Sequence, residues 1–562
     1  MKTLAALAFL IFSFLAVPAQ FTLHHGFGLG YTGFDQGGSI AVDASGNVYV
    51  TGYFQTYLDM DPGSGTTAIY GISYLAKYDN LGNIIWAKAL PATGSLAVDQ
   101  SGNVYMITAF QGAADFGGGS LVSAGSNDVA VVKFDTDGQH VWSKRFGGGD
   151  SDSGYDIALD NNSNVAISGY FRDTIVIGSS TFISNGDNDA YFAKLDNSGN
   201  VLWAFKIGGG TNAPGVGAPA DNGGEITFDN AGNLVVTGGI ASLNVDLDPG
   251  AGIQLGSSIG STDNFVVKVD GNGDFIWGFT LNGDGGENLN SIDVDASGNV
   301  YLTGYSNSDS IDIDPGSGAA IFHGISGILF VQDFILAKYN SDGEYQWGFR
   351  TGQRATDTGH SVKVDDYNNV IVVGSTGDAN VDFDPGAGTF YLGSDSFAIQ
   401  TSFLAHYTSN GDFVDAFALD DSASNQGVDL ALFNGKAWIT GYFSQTTFDI
   451  DPGSGTTNLS NAGGFDIYIA GYEYPYAVGI ENRDVQLLDV YPNPVNDFVK
   501  VEIGKNVSAK IELRDVAGKL LKTENILQMP CTLSLKGLPA GSYFIICESG
   551  KTVYANKILK AE

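Results

Sequence analysis

One stretch, written DASGNVYVTGYF at residues 43–54, recurs through most of the chain. Two apolar runs flank an Asp-x-x-Gly-Asn break in its clearest copies, and successive copies lie 57 to 70 residues apart. Seven segments share the pattern: 39–54, 95–110, 156–171, 225–240, 291–306, 361–376 and 428–443. A long period repeated this often predicts an array of equal structural units and not a single ordinary core.

Each unit has a second half of the same kind, typified by YLAKYDNLGNIIWAKAL at 74–90. Short runs of alternating or β-branched residues around an Asp-x-x-Gly turn predict a tight antiparallel hairpin. The Asp side chain can accept a bond from the backbone two residues on, and Gly accepts positive φ. Ser163 and Asn368 replace that glycine in two units. We therefore expect four strands and no helix per unit.

A tryptophan recurs at one position of the predicted fourth strand, at Trp86, Trp142, Trp203, Trp277 and Trp347, and the sixth unit has Asp415 there. Four-stranded units of near-constant length are typical of radial blades whose faces pack on each other. We interpret the tryptophans as packing between blades, and a sugar-stacking surface is the alternative.

The ends of the array predict how it closes. The seventh unit stops after its third strand, FDIYIAGYEYP at 465–475, and an extra strand, FTLHHGFGLG at 21–30, precedes the first unit. Pairing these two segments would satisfy two edges that are otherwise open. We therefore predict an all-β, seven-bladed β-propeller at residues 20–478, closed by its N-terminal strand.

These motifs resemble the seven-bladed β-propeller repeat family of bacterial exported proteins. The DxxGN…W pattern and the LAKYD segment carry the resemblance, which extends over residues 21–478. The family is defined by its shape, so the resemblance implies no single activity.

The first 19 residues have the layout of a secretory signal peptide: Lys2, an apolar run over 4–17, and a small-residue cut before Gln20. The run is shorter than the roughly 20 residues of a spanning helix, and we find no later apolar segment of that length. An uncleaved membrane anchor is the alternative. We expect an exported protein without a transmembrane segment.

Around residue 480 glycine thins out and lysine becomes frequent. After a linker at 479–488, the alternation at 489–562 predicts a small β-sandwich. YPNP, RDVAGK, LPAGSYF and KILK occur there in that order and resemble the type A C-terminal sorting domain of the type IX secretion system. The resemblance implies the type IX machinery as a partner, domain removal, and release or attachment at the outer cell surface. An ordinary accessory sandwich is the alternative.

Charge is divided unevenly between the two parts. The chain has a net charge of −36, whereas residues 481–562 contain 11 Lys/Arg and 10 Asp/Glu. The acidic body therefore repels nucleic acid and anionic membranes, although its charge can also serve solubility alone. Cys531 and Cys547 are the only cysteines, and their spacing alone does not show whether they pair.

Five segments of the form Asp-x-Asp-Pro-Gly resemble half of a calcium loop. Their aspartates are Asp59, Asp61, Asp246, Asp248, Asp312, Asp314, Asp382, Asp384, Asp449 and Asp451. Two carboxylates supply few of the six to eight oxygens that calcium takes. The second and third units have glycine turns there instead, at 115–120 and 176–181. We interpret the segments as turns first, with weak calcium binding as the alternative and no other cofactor expected.

Catalytic candidates are few, because we find no GxSxG, HExxH, cysteine-nucleophile or phosphate-loop motif. The predicted innermost strands begin with serine in most units, but with Asp156 and Glu225 in the third and fourth. These carboxylates could act as acid and base in glycoside cleavage. The alternative is a solvated channel with an Asp293–Lys363 ion pair.

We expect a non-catalytic module that recognises an extracellular protein or glycan. A carbohydrate-active enzyme, hydrolase or lyase, that uses Asp156 and Glu225 is the second hypothesis. A structural surface component is the third. The sequence does not identify the ligand.

Overall fold

The computed structural model describes residues 20–210, 220–324, 331–378, 380–393, 399–419, 424–474, 486–502, 509–514, 520–526, 530–549 and 552–561. The predicted signal peptide and residues 479–485 of the predicted linker lie outside these residues. Two compact units, Met1–Ala477 and Val478–Glu562, divide the chain, and each is described by itself. Within the described residues every regular element is a β-strand.

The first unit begins with β1 (Thr22–Leu29), followed by antiparallel sheets of four strands, of which the fourth is extended by the two-stranded ribbon of the next. Sheet one is β2 (Gln36–Val42), β3 (Val48–Asp59), β4 (Ala68–Tyr78) and β5 (Ile84–Leu90). Sheet two is β6 (Ser95–Val98), β7 (Val104–Asp115), β8 (Ser120–Phe134) and β9 (His140–Phe146). Sheet three is β10 (Ser153–Leu159), β11 (Val165–Ile177), β12 (Ser180–Leu195) and β13 (Val201–Ile207).

The later sheets carry short two-stranded ribbons between their second and third strands. Sheet four is β14 (Asn222–Phe228), β15 (Leu234–Ile240), β18 (Asp263–Val269) and β19 (Phe275–Gly283), with the ribbon β16 (Val245–Asp246) and β17 (Leu255–Gly256). Sheet five is β20 (Glu287–Val294), β21 (Val300–Ser306), β24 (Asp333–Tyr339) and β25 (Tyr345–Thr351), with β22 (Ser310–Asp312) and β23 (Ile321–His323). Sheet six is β26 (Asp357–Val364), β27 (Val370–Thr376), β30 (Thr401–Tyr407) and β31 (Phe413–Ala418), with β28 (Val381–Asp382) and β29 (Tyr391–Leu392).

Sheet seven is completed by the first strand of the chain. It contains β32 (Asn425–Phe433), β33 (Lys436–Phe443) and β36 (Asp466–Glu473), with the ribbon β34 (Thr447–Asp449) and β35 (Asn458–Ser460). β1 pairs antiparallel with β36, from Thr22 opposite Glu473 to Leu29 opposite Ile467. The first strand of each sheet contacts the first strands of its two neighbours, including β32 with β2, so the seven sheets form a ring. The all-β propeller with an N-terminal closing strand is confirmed.

The core lies between the faces of adjacent sheets. Central strands pack on both faces, so β18 and β30 are buried at every residue. Apolar residues of neighbouring sheets meet in shared clusters, such as Val131 of β8 with Ile167 of β11.

The Asp-x-x-Gly-Asn turns form as the sequence predicts. One Asp43 carboxylate oxygen accepts the backbone N–H groups of Ser45 and Asn47, each at 2.9 Å, and the Asn47 amide donates to the other oxygen at 2.7 Å. Gly46 has a φ of 82°. Ser163 and Asn368 take the same left-handed conformation, with φ of 59° and 62°. A local hydrogen-bond pattern therefore sets the register of these hairpins.

The tryptophans bridge consecutive sheets. Each indole N–H donates to a carbonyl in the third-to-fourth strand turn of the next sheet, for example Trp86 to Thr136 at 3.1 Å and Trp203 to Gly271 at 3.1 Å. Trp142, Trp277 and Trp347 make the equivalent bonds. Packing between blades is the correct interpretation of this repeated residue.

Asp415 replaces tryptophan where the next sheet has no such turn. Because β1 comes from the other end of the chain, sheet seven presents a strand end and not a hairpin carbonyl. The backbone N–H of Phe21 donates to the Asp415 carboxylate at 2.9 Å, and its ring lies 5.1 Å from that of Phe417. Asp415 therefore accepts the N–H group that the closing end of the chain supplies, at the position where the other units have a tryptophan that donates to a turn carbonyl.

The second unit has two sheets, as expected of a β-sandwich. One contains β37 (Gln486–Leu487), β40 (Ala509–Arg514), β41 (Leu520–Ile526), β43 (Gly541–Ser549) and β44 (Thr552–Lys560), and the other contains β38 (Asp489–Tyr491), β39 (Phe498–Glu502) and β42 (Cys531–Ser534). Val499, Ile511 and Ile545 share their core. Cys531 and Cys547 are not joined by a disulfide bond. Residues 515–519 of the RDVAGK motif lie outside the described residues.

Candidate functional site

The first strands of the seven sheets line an axial channel with a cavity of about 690 Å³. Their first inward positions carry Ser39, Ser95, Asp156, Glu225, Ser291, Ser361 and Asp429, all of which line it. Asp156 and Glu225, predicted as candidates from separate units, therefore lie in one cavity. This position differs among the units, whereas the turns and tryptophans repeat, so the channel is the principal candidate for a ligand site.

Asp429 is a channel residue that sequence reasoning missed. It lies opposite Thr440, as Ser291 lies opposite Thr303 in sheet five. A gapless alignment shifts it by one position, because the β32–β33 hairpin turns through only Asn434 and Gly435. These residues have φ of 48° and 74°, which fits the two-residue turn that Asn-Gly favours. The Asn-Gly pair at 434–435 is the sequence signal that could have shown this shorter turn and placed Asp429 at the channel position.

Asp156 and Asp429 tie neighbouring first strands together. Asp156 accepts the Ser95 hydroxyl at 2.7 Å and the Ile226 backbone N–H at 3.0 Å, and so links sheets two, three and four. Asp429 likewise accepts the Ser39 hydroxyl at 3.1 Å and the Ile40 backbone N–H at 2.9 Å. Both carboxylates therefore supply hydrogen-bond acceptors that link neighbouring first strands.

Glu225 differs because its carboxyl faces that of Asp156. Burial and the negative charge of Asp156 raise the pKa of Glu225 well above its ordinary value, and a hydrogen bond to Asp156 adds to the shift. Burial also raises the pKa of Asp156. Two buried carboxyls this close retain a proton more readily than either would alone.

Lys363 is the cation of the channel. Burial lowers its pKa, but Asp293, Asp429, Glu225 and Asp156 together raise it above the ordinary value. Asp293 uses one oxygen to accept the Val364 backbone N–H at 2.7 Å. Asp293 makes the largest of these charge contributions, in line with the alternative of an Asp293–Lys363 pair, although among the described residues no carboxylate lies within 4.0 Å of the Lys363 ammonium. The charge of Lys363 is shared among several carboxylates of the channel.

Tyr155 and His360 also line the cavity. Tyr155 is 48% exposed, and the charges of Glu225 and Asp156 act on its hydroxyl. The His360 ring bonds the Ser375 hydroxyl at 2.9 Å and the Gln426 amide at 2.8 Å. Burial lowers the pKa of His360 to about 4, so the ring is neutral at pH 7. The lining therefore combines a half-exposed aromatic ring with neutral hydrogen-bonding groups.

The Asp-Pro-Gly segments form corners, called the outer corners below, in the connections between the second and third strands of sheets one, four, five, six and seven. Asp59 accepts the backbone N–H groups of Asp61 at 3.1 Å and Thr67 at 2.8 Å, and Asp61 accepts that of Gly63 at 2.8 Å. Asp246, Asp312, Asp382 and Asp449 repeat the first pattern, and Asp248, Asp314, Asp384 and Asp451 the second. The carboxylates thus hold the turns themselves.

The residue between the two aspartates anchors each corner. Met60 is fully buried, and its carbonyl accepts the Tyr78 hydroxyl at 3.0 Å. Leu247, Ile313, Phe383 and Ile450 are buried at the equivalent position. Among the described residues no three acidic, histidine or cysteine side chains form a metal-binding group, and two carboxylates per corner are few for calcium. Calcium binding at the corners stays a prediction.

Comparison with known proteins gives one family match, at the C-terminus. Residues 489–561 match the secretion system C-terminal sorting domain. Over 260 residues the chain is 23% identical to an uncharacterised WD repeat-containing protein, L264, of Acanthamoeba polyphaga mimivirus, which covers 42% of this chain and 18% of that protein. Over 214 residues it is 26% identical to the regulatory protein FlaEY of Caulobacter vibrioides, which covers 36% and 21%. The matched regions span about a fifth of each relative.

Two solved structures show a broad likeness. The polysaccharide lyase Uly1 has a TM-score of 0.42 and 10% identity, over 80% of this chain and 99% of that one. PorZ, a surface component of the type IX secretion system of Porphyromonas gingivalis, has a TM-score of 0.25 and 13% identity, over 93% and 70%. Scores this low indicate neither a ligand nor an activity.

The sorting motifs, the two-sheet second unit and the family match agree. Within the described residues, no helix has the length and apolar character to cross a membrane. Residues 489–561 are therefore a type IX secretion system C-terminal sorting domain, which implies that the protein is secreted through that system and attached to the cell surface.

Proposed function

We propose that the propeller is a non-catalytic module that recognises an extracellular glycan at the mouth of its axial channel. The observation that carries the proposal is the use of the channel carboxylates: Asp156 and Asp429 bond to neighbouring first strands and are not free for chemistry. The cavity of about 690 Å³ lies in the size range of small-ligand sites. Tyr155 offers a half-exposed ring on which a sugar can stack.

The charge of the channel sets the class of glycan. Among the described residues that line the cavity, Asp156, Glu225 and Asp429 outnumber the one cation, Lys363, and Asp293 adds a further negative charge close to it. A uronate or sulfate group would be repelled there, whereas hydroxyl groups can bond to Ser39, Ser95 and Glu225. The proposed ligand is a neutral or amino-substituted sugar chain that inserts its end into the channel.

Glu225 favours the second hypothesis, a carbohydrate-active enzyme, because a carboxyl with a raised pKa can act as a general acid. Against this, Asp156, which would be its partner carboxyl, already accepts the Ser95 hydroxyl and the Ile226 backbone N–H. This use of Asp156 supports binding over glycoside cleavage.

A glycan array followed by titration calorimetry tests the proposal, with protein that lacks the predicted signal peptide. We expect binding of neutral or amino-substituted glycans without turnover, and a loss of about tenfold in affinity on Tyr155→Ala. Tyr70→Ala is the matched control, because Tyr70 is 71% exposed on β4 and does not line the channel. It should bind as the unaltered protein does.

Two results would reject recognition in favour of the other hypotheses. Turnover of any bound glycan that Asp156→Asn or Glu225→Gln abolishes would assign an enzyme. An absence of binding to every neutral, amino-substituted and anionic glycan would favour a structural surface component.

A further inference from the structure

Within the described residues, a β-bulge or a similar register shift interrupts the pairing of the first two strands in six of the seven sheets. It lies beside the first inward position of sheets one and three to seven. A bulge leaves a residue without a cross-strand partner and can turn its side chain in a new direction. The side chains that directly precede the first inward position and line the cavity are those of Tyr155, Asn290, His360 and Val428. The bulges therefore place four different side chains against the cavity.

One nitrogen of the His360 ring is fixed as a hydrogen-bond acceptor. The Gln426 amide N–H group donates to Nε2 at 2.8 Å, and the Ser375 hydroxyl lies 2.9 Å from the same atom. Gln426 is itself oriented, because the Tyr442 hydroxyl donates to its carbonyl oxygen. Since an amide nitrogen can only donate, Nε2 carries no proton. The proton of the neutral ring therefore lies on Nδ1.

The Nδ1–H group of His360 is open to a molecule in the cavity. Among the described residues, no protein atom accepts a hydrogen bond from Nδ1. His360 is nevertheless only partly buried and lines the cavity, whereas Nδ1 of His406 is enclosed in the core without a partner. Burial lowers the pKa of His360 to about 4, so the ring keeps this single donor at neutral pH.

Two hydroxyl groups of the cavity are already engaged by its carboxylates. The Ser39 hydroxyl donates to Asp429 at 3.1 Å. The Ser95 hydroxyl donates to Asp156 at 2.7 Å. A ligand hydroxyl can donate to such carboxylates, whereas a ligand carbonyl oxygen only accepts and is repelled by them. A carbonyl group that enters this channel therefore needs a donor such as the Nδ1–H group of His360.

We propose that His360 is a specificity-determining residue of the channel, whose Nδ1–H group binds the carbonyl oxygen of an acetamido group on the sugar ligand. The inference rests on the proposed glycan-binding function and narrows the ligand to N-acetylated amino sugars. Val428, the bulge residue of the adjacent sheet seven, lines the same cavity and offers an apolar surface to the acetyl methyl group. Gln426 is a positioning residue, because it acts through His360 and fixes which ring nitrogen carries the proton.

Nitrogen-15 NMR of the histidine-labelled protein, without its predicted signal peptide, tests the tautomer. The shifts of the two ring nitrogens distinguish both neutral tautomers from the cation, and the spectrum of His360→Asn identifies the His360 signals by their loss. At neutral pH we expect an uncharged ring with its proton on Nδ1. A proton on Nε2 would overturn the proposal, whether or not the protein binds a glycan.

Titration calorimetry measures the selectivity. The probes are oligosaccharides of N-acetylglucosamine and of N-acetylgalactosamine, each compared with its de-N-acetylated form and with the form that has a hydroxyl group in place of the acetamido group. We expect an acetylated probe to bind about tenfold more tightly than either counterpart. Tighter binding of the de-N-acetylated form would instead assign recognition of an ammonium group by the carboxylates, and would contradict the proposal.

Three variants separate the role of His360 from a general effect on the fold. His360→Phe should remove the preference for the acetylated probe, and His360→Asn should keep part of it, because the asparagine amide can place an N–H group near the position of Nδ1. His323→Phe is the matched control, since His323 is exposed on β23 and does not line the cavity, and it should bind as the unaltered protein does.

The outcomes distinguish this inference from the proposed function. Glycan binding without a preference for the acetylated probe, or a preference that survives in His360→Phe, would overturn the role of His360 and leave glycan recognition in place. Binding of no glycan would overturn both.

Discussion

The outer corners and the axial channel are both rich in carboxylates, but they use them differently. Five corners repeat one Asp-x-Asp-Pro-Gly pattern, and each carboxylate accepts N–H groups of its own turn. The channel carboxylates differ from unit to unit, and they meet partners on other sheets. Residues that repeat in every unit therefore stabilise the turns within that unit. Residues that differ between units make contacts with neighbouring sheets that occur only once in the ring.

The largest expected loss of stability follows from removing the buried apolar residue of a corner, and not from removing one of the corner's carboxylates. Leu247 is fully buried between Asp246 and Asp248, so Leu247→Ala should lower the free energy of unfolding by about 2–5 kcal/mol. Asp246→Ala removes an acceptor for two backbone N–H groups and should cost about 1 kcal/mol. Urea unfolding measures both. A larger loss for Asp246→Ala would show that the corner depends on its charge.

A smaller loss of stability is expected in the channel. Asp156→Ala leaves the Ser95 hydroxyl and the Ile226 N–H without their acceptor, which should cost about 1–3 kcal/mol in the same measurement. Glu225→Gln is the matched change, because Glu225 makes no such tie, and its stability at pH 7 should stay the same or rise. If Asp156→Ala leaves the free energy of unfolding unchanged, the role of Asp156 is not to link neighbouring sheets.

The smallest effect is a change in pH dependence. Because the folded state raises the pKa values of Asp156 and Glu225, it keeps a proton that the unfolded chain loses above a pH of about 4.5. The pair therefore makes stability fall as pH rises from about 4.5 toward the folded pKa, by at most about 1.4 kcal/mol per pH unit. Glu225→Gln should flatten this slope in urea unfolding at pH 5, 6 and 7. Parallel slopes for both proteins would exclude a shared proton.

Most of the fold could be predicted because its determinants are local. The turn bonds of Asp43 reach only to Asn47, and the Asn-Gly pair at 434–435 has its own turn geometry. Closure was also predictable, since one missing strand and one extra strand are visible in the sequence. The YPNP, RDVAGK, LPAGSYF and KILK motifs gave the sorting domain, which the family match confirms.

The candidate site could be predicted only in part. Asp156 and Glu225 stood out as departures from serine, but Asp429 was hidden by a hairpin one residue shorter than the others. Lys363 acts on Asp293, as the alternative of an Asp293–Lys363 pair has it, but it also acts on carboxylates of three other sheets, which the sequence did not indicate.

The sequence by itself determined a closed ring of hairpin-built sheets and an export tail, because hydrogen bonds within each turn and the count of strands decide these features. Tertiary structure alone decided which carboxylates meet. Asp466 and Asp35 lie more than 400 residues apart in the chain, and only the closure of the ring by β1 brings them together. The charge state of such a pair depends on burial and on the side chains of neighbouring sheets, which no local pattern encodes.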